Sequence, residues 1–342
     1  QRPWIAVLAA AIAARTATFV FLSGAANNDA AIAAMGGAAI LACLWWLEAE
    51  PDVDDKASGE LPGRLKALVP AVVTGLAVGL ALLTKNSALP LIASLGLIPL
   101  ARWRKRRVGM GNALIEAIAA SSACFITAAW WYLRNLWLYG HFVMDRSVSE
   151  SITLQPLPPS GALAEAASSH FASLLVQYSF TSYWTLFGWG NIAPPAWVEV
   201  AFAVLSLLAL GGLGLLFARK AVRVDLTARA EPALIAVMLF GLLTALPLYR
   251  AIRYAAATLM PGRYLFVSIA ISSALFAMGV WAATALLPTY AARGGRIAAG
   301  VFPSLIAIAA LFWTVLPRYS PPHFITEAEA ARSSTSFYVD YG

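Results

Sequence analysis

The stretch "AVVTGLAVGLALLTKNSALPLIASLGLIPLARWRKRR", residues 71–107, holds two long apolar runs, a short polar break at Thr84-Lys85-Asn86 and a terminal block of arginine and lysine. Apolar runs of nearly membrane-spanning length, separated by a turn and closed by a basic cluster, describe a chain that crosses a bilayer and returns. The rest of the sequence agrees. Of 342 residues, 60% are hydrophobic and 12% charged, with a mean hydropathy of +0.73. A soluble domain carries about twice that share of charge. Every backbone group in hydrocarbon must be satisfied within the protein, and nothing here alternates at period two like a barrel strand. The expected fold class is all-α: a polytopic transmembrane helical bundle of about nine spans.

Those spans are expected near 3–23, 30–47, 67–84, 87–101, 111–131, 197–218, 232–249, 264–287 and 297–316. The connections alternate in charge. Fifteen of the twenty-four lysines and arginines fall on one side: Arg2, Lys56, Arg64, Lys66, "RWRKRR" (102–107), "RKAVR" (219–223), Arg229, Arg293 and Arg296. The positive-inside rule makes that side cytoplasmic. The N-terminus of the stretch is then cytoplasmic, and the C-terminus lies outside. The net charge of +7 is thus topological and calls for no nucleic acid. Cys43 and Cys124 both sit in apolar runs, which excludes a disulfide framework and a zinc site.

Four regions follow. Residues 1–131 hold five spans and the "AANNDA" turn, and 132–196 form an external loop. Residues 197–316 hold four more spans, and 317–342 form an external tail. The acidic connector "EAEPDVDDKASGELPGR" (48–64) is a solvated loop. Within 132–196, "ALAEAASSHFASLLVQYSF" (162–180) has the spacing of an amphipathic helix on the membrane surface. The aromatic stretch "TSYWTLFGWGNIAPP" (181–195) suits the headgroup zone, where it would cover a cavity rather than cross the membrane. The tail "SSTSFYVDYG" (333–342) alternates like an opening β-strand, the threshold of a soluble domain. The start at "QRPWIAVLAA" has no initiator methionine and reads as entry into the middle of a longer protein.

The polar residues without a topological reason collect on the outer side. Asn27, Asn28 and Asp29 interrupt two apolar runs. One of them would suffice as a helix cap, and three together leave a carboxylate for a divalent cation or a polar substrate. Lys85 can snorkel to headgroups or meet a phosphate as a point charge. Arg134 ends a helix within an aromatic belt. Arg250, Arg253 and Arg263 flank a Pro-Gly turn, against the topological rule, and suggest recognition of a phosphate or diphosphate. Glu116 near an inner helix end is expected beside the basic 102–107 loop. There is no Walker loop, dinucleotide fingerprint or nucleophile elbow, and the three histidines lack metal-ligand spacing. An amphiphile transporter or a lipid-binding scaffold remains open on this reading, although no internal repeat supports a transporter.

Five segments, "SGAANNDAAIAA", "GLALLTKNSALPLI", "WWYLRNLWLYG", "YWTLFGWGNIAPP" and "MPGRYLF", resemble in that order parts of bacterial membrane glycosyltransferases of the GT-C superfamily. These are protein-mannosyltransferase-like enzymes that use lipid-phosphate-linked sugars. The resemblance spans about residues 5–285. It implies a hexosyl- or pentosyltransferase in the bacterial inner membrane with an external cavity for a polyprenyl-phosphate-linked sugar donor. The acceptor would be a lipid, glycan or protein. Asp29 resembles the family's second acid, as catalytic residue and as ligand for Mg or Mn, the one cofactor this reading admits. Lys85, with Arg134 and Arg263, resembles the phosphate clamp. Asn28, Arg250, Arg253 and Tyr264 complete the expected binding set. No segment matches the family's first helix and acidic loop, so about two further spans are expected upstream, and this stretch alone is expected to be inactive.

Overall fold

The structure is a computed structural model of the chain, and it describes residues 3–24, 27–50, 61–143, 157–187, 192–218 and 230–319. The connector 51–60, the 219–223 cluster and the strand-like tail 333–342 lie outside the described residues. Among those described, all regular secondary structure is helical, apart from one isolated bridge between Phe187 and Ile192.

The helices are α1 (Pro3–Arg15), α2 (Ala17–Gly24), α3 (Asn28–Glu48), α4 (Leu61–Thr84), α5 (Ser94–Arg104) and α6 (Met110–Tyr139). They continue with α7 (Pro159–Ala166), α8 (Ser169–Trp184), α9 (Ala196–Ala218), α10 (Ala230–Arg253), α11 (Ile269–Thr284) and α12 (Thr289–Ala310). Two tighter 3₁₀ segments, Asn86–Ala93 and Gly262–Ser268, lead directly into α5 and α11. A π-helical turn, Leu311–Val315, follows α12.

Among the described residues, seven helices are long and apolar enough to cross a membrane, or eight if α1 and α2, bent by 53°, count as one span. The difference from nine lies in the expected 87–101 span. Residues Asn86–Ala93 are wound as 3₁₀ helix around Pro90, and only Ser94–Arg104 are α-helical. Pro90 has no N–H to donate, and no side chain caps the start of this segment. At roughly 2.0 Å per residue for the 3₁₀ part and 1.5 Å for the α part, the pair still reaches about 32 Å. That length is close to the hydrocarbon thickness of a bilayer.

Other boundaries move for local reasons. Helix α6 runs to Tyr139, eight residues beyond the expected 131, and closes on Gly140 in the left-handed region at φ 71°. The expected surface helix 162–180 is two helices. Ser168 interrupts it by capping α8, its side chain accepting the Phe171 N–H at 3.1 Å. The aromatic stretch that follows is not a continuous helix: α8 ends at Trp184, and Phe187 pairs with Ile192. Three of its aromatic side chains lie inside the bundle, however. Tyr183, Trp184 and Phe187 are buried, with Trp184 stacked on Phe202 at 4.9 Å.

The core has two main parts. Trp46, Leu91, Ile98 and Leu239 centre the packing of α3, α4, α5, α6 and α10. Ile12, Trp184, Phe202 and Phe266 centre that of α1, α8, α9, α11 and α12. In lipid there is no hydrophobic drive between helices, so close contact depends on small residues. Gly212 and Gly279 show this, each lying directly against the other helix's backbone with no space for a Cβ. Large apolar side chains such as Phe125, Ile126, Leu207 and Trp313 point outward, as lipid-facing surfaces require.

One polar lock closes the end formed by the termini of α3 and α5 and the start of α6. Arg102 is buried, and its guanidinium donates to both oxygens of buried Glu116 at 3.0 and 3.2 Å. It also donates to the last carbonyls of α3, Trp46 O at 2.6 Å and Ala49 O at 2.5 Å. Trp46 Nε1 donates to Glu116 at 3.1 Å, and Arg107 reaches Leu47 O. Glu116 therefore does neighbour the basic loop. Arg102, though, is a structural cap rather than a solvated topological charge. Arg104, Lys105 and Arg106 remain exposed.

Candidate functional site

At the opposite end, the run Asn27-Asn28-Asp29 divides its work. Asn27 is the cap of α3: its backbone is extended, and its side chain accepts the Asp29 N–H at 2.8 Å. Asn28 reaches across to α4 and donates to Thr84 O at 3.3 Å. Asp29 lies in the first helical turn, where a carboxylate is favoured by the helix dipole. Because Asn27 has taken the cap, the Asp29 carboxylate is left for a tertiary partner. That partner is Lys85, whose ammonium forms an ion pair with Asp29 Oδ1. Asp29 is only 1% exposed, its carboxylate turned to Lys85 within the protein.

Lys85 ends α4 in an extended conformation at the start of the first 3₁₀ segment. Its ammonium also lies over the Tyr264 ring, 4.9 Å from the centroid. Asn28, Asp29, Lys85 and Tyr264 thus form one cluster from three distant parts of the chain. Tyr132 of α6 braces the same end, its hydroxyl bonding to Leu82 O at 3.0 Å and Asn86 Oδ1 at 3.3 Å.

The neighbouring Pro261-Gly262-Arg263 turn is held by α8. Gly262 N–H donates to Ser182 Oγ at 2.6 Å, and Ser179 Oγ donates to Met260 O at 2.9 Å. Gly262 sits against the Ser179 carbonyl and Tyr183, where any Cβ would collide. Tyr183 in turn bonds Ser272 at 2.9 Å, and burial pushes its phenol above the usual pKa, so it stays protonated. Arg263 lines a small recess with Thr18, Tyr178 and Ser182.

Arg250 and Arg253 occupy the last turn of α10, which packs against both 3₁₀ segments. Arg253 Nη1 is buried with no hydrogen-bond partner. Arg134 is placed differently. It is exposed, and its guanidinium lies over Trp131 of its own helix at 5.4 Å.

Three further side chains were not singled out by sequence. Thr18 Oγ1, Ser87 Oγ and Asn135 Oδ1 are buried without partners, as is Arg253 Nη1. Among the described residues Ser206 Oγ and Ser273 Oγ, inside α9 and α11, are buried without partners as well. Chain position offered a partial signal for two of them, since Ser87 and Asn135 adjoin the polar breaks at Lys85 and Arg134.

No group of three His, Cys, Asp or Glu converges among the described residues. One carboxylate already paired with an ammonium does not make a divalent-cation donor set.

Residues 1–144 match the family model described as dolichyl-phosphate-mannose-protein mannosyltransferase. This is a GT-C family, so the resemblance read from the sequence holds over that stretch. The matched region contains Asn28, Asp29, Lys85 and Arg134, including both members of the ion pair. The aromatic stretch and the "MPGRYLF" turn lie beyond it. No curated protein and no solved structure matches the chain.

Proposed function

We propose that this protein is a membrane glycosyltransferase that moves a sugar from a polyprenyl-phosphate carrier to an acceptor at the outer face of a bacterial plasma membrane. The mannosyltransferase-family match supports the reaction class. The observation that carries the reading is the Asp29–Lys85 ion pair, with the Lys85 ammonium over the Tyr264 ring.

The donor brings a phosphate, and cations must receive it. Lys85 supplies a point charge, while Arg250, Arg253 and Arg263 supply guanidiniums suited to phosphate oxygens. When the phosphate takes Lys85, Asp29 loses its counter-charge and becomes available as a base. The acceptor hydroxyl then attacks the anomeric carbon and gives its proton to Asp29. The bond from that carbon to the phosphate oxygen breaks, its electron pair leaving with the phosphate, which the cations stabilise. Asn28 fixes the turn against α4, and Tyr264 holds the Lys85 ammonium in place before the exchange. The acceptor is a lipid, glycan or protein hydroxyl.

Sidedness is directly testable. With Arg134→Cys and Lys105→Cys, both at exposed positions, an impermeant thiol reagent should label position 134 from outside and position 105 only after the membrane is opened. The native Cys43 and Cys124 are buried and should stay silent. Labelling of position 105 in sealed cells would reverse the orientation and the outer-face assignment with it. The reaction itself is tested by transfer of labelled sugar from a polyprenyl-phosphate donor by the full-length protein.

A further inference from the structure

A second lipid-facing feature lies at the far end of α11, about 32 Å along the chain axis from Tyr264 at roughly 2.0 Å per residue through the 3₁₀ segment and 1.5 Å through α11. Helices α9, α11 and α12 enclose a groove of about 610 Å³, lined by Leu205, Leu208, Val280, Thr284, Ala298 and Phe302 among others. Thr284 is the single lining residue with a polar side chain. That volume is within the range of ligand-sized sites, roughly 300–1,000 Å³. Three spans form its walls, so the medium that fills it is lipid.

The end of the groove is cationic. Arg296 Nε donates to Thr284 Oγ1 at 3.0 Å, and its guanidinium stacks over Trp281 at 5.5 Å. Arg293 lies one turn earlier on α12 and is exposed. Neither arginine is in an ion pair with a described residue. Gly295 sits between them, at the mouth. A Cβ there would press on the Thr284 methyl at 3.2 Å, so the absence of a side chain keeps the arginines continuous with the groove.

We infer that this is a binding site for one anionic phospholipid, with its phosphate at Arg293 and Arg296 and an acyl chain in the groove. Two guanidiniums with no described carboxylate paired to them complement a phosphodiester that carries a net negative headgroup, and a zwitterionic headgroup brings its own cation against them. A basic cluster at the end of an apolar cleft between spans is the arrangement that retains a particular lipid rather than bulk bilayer. The site is separate from the Asp29 cluster and does not depend on the transferase reading.

The test is native mass spectrometry of the detergent-solubilised full-length protein, offered equal amounts of phosphatidylglycerol and phosphatidylcholine with matched acyl chains. A single phosphatidylglycerol adduct should be preferred by about tenfold or more, and Arg293→Ala with Arg296→Ala should bring the two lipids to parity. Ala298→Phe, which fills the groove, should reduce retention of both. If the double arginine variant does not fold, Arg293→Gln at its exposed position should still lower the preference. Unchanged preference in a folded arginine variant overturns the headgroup assignment. Equal retention of a short-chain phosphatidylglycerol overturns the groove.

Discussion

Replacing Asp29 by asparagine in the full-length protein is expected to lower sugar transfer at least about tenfold, a barrier increase of about 1.4 kcal/mol. The start of α3 should survive the change, because Asn27 and not Asp29 carries the cap. The cost falls on the ion pair. Asparagine leaves the Lys85 ammonium beside a neutral amide, and loss of a counter-charge at a largely buried position also lowers stability. The two effects separate with a second variant. Asp29→Asn combined with Lys85→Met removes both charges and should recover much of the thermal stability while leaving transfer low. Wild-type turnover by Asp29→Asn would make the carboxylate a purely structural partner of Lys85.

The largest loss of stability is expected at the other end of the bundle. Arg102→Ala strands a buried Glu116 carboxylate, whose two oxygens both accept from that guanidinium. It also removes the donor that satisfies the Trp46 and Ala49 carbonyls at the end of α3. Breaking a buried pair by removing one partner costs about 3–5 kcal/mol. Arg102→Lys should restore little, since one ammonium cannot match a bidentate carboxylate and reach the α3 carbonyls together. Thermal unfolding in detergent measures both variants. A lysine variant as stable as the wild type would show that charge alone, and not the planar fork, holds the three helix ends.

Membrane solvent, helical class and most span positions were legible because each follows from local composition: about 20 apolar residues in hydrocarbon have one economical conformation. The broken 86–104 element was legible only in part. Pro90 marks the disruption, but whether a chain kinks or rewinds there depends on the helices packed around it. The two arginine environments show the limit more sharply. Arg102 and Lys105 stand three residues apart in one basic run, yet one is buried in a lock and the other exposed. Nothing in a charge cluster states which member meets a partner. The same holds for Tyr183, Trp184 and Phe187, whose composition suits either a headgroup belt or a packed core.

For the site, the residue types were legible and the pairing was not. Asp29 and Lys85 are 56 positions apart, and Tyr264 lies far beyond both, so their contact arises only from how α3, α4 and the second 3₁₀ segment meet. The cap assignment turned on one residue. Asn27, Asn28 and Asp29 are all competent caps by type. Backbone geometry selects the first, and that choice frees the carboxylate for Lys85. Ser87 and Asn135 adjoin the polar breaks at Lys85 and Arg134, but that they and Thr18 lack partners is not legible in sequence, because single hydroxyls and amides near helix ends ordinarily find backbone or water partners.

The role proposed for the Asp29–Lys85 cluster is glycosyl transfer from a lipid phosphate. Its most direct measurement is release of polyprenyl phosphate from a polyprenyl-phosphate-linked sugar by the full-length protein in proteoliposomes, followed with the wild type and with Lys85→Met. The account predicts acceptor-dependent release by the wild type and at least about a tenfold loss in the variant. Release by the Lys85→Met protein at the wild-type rate would contradict it.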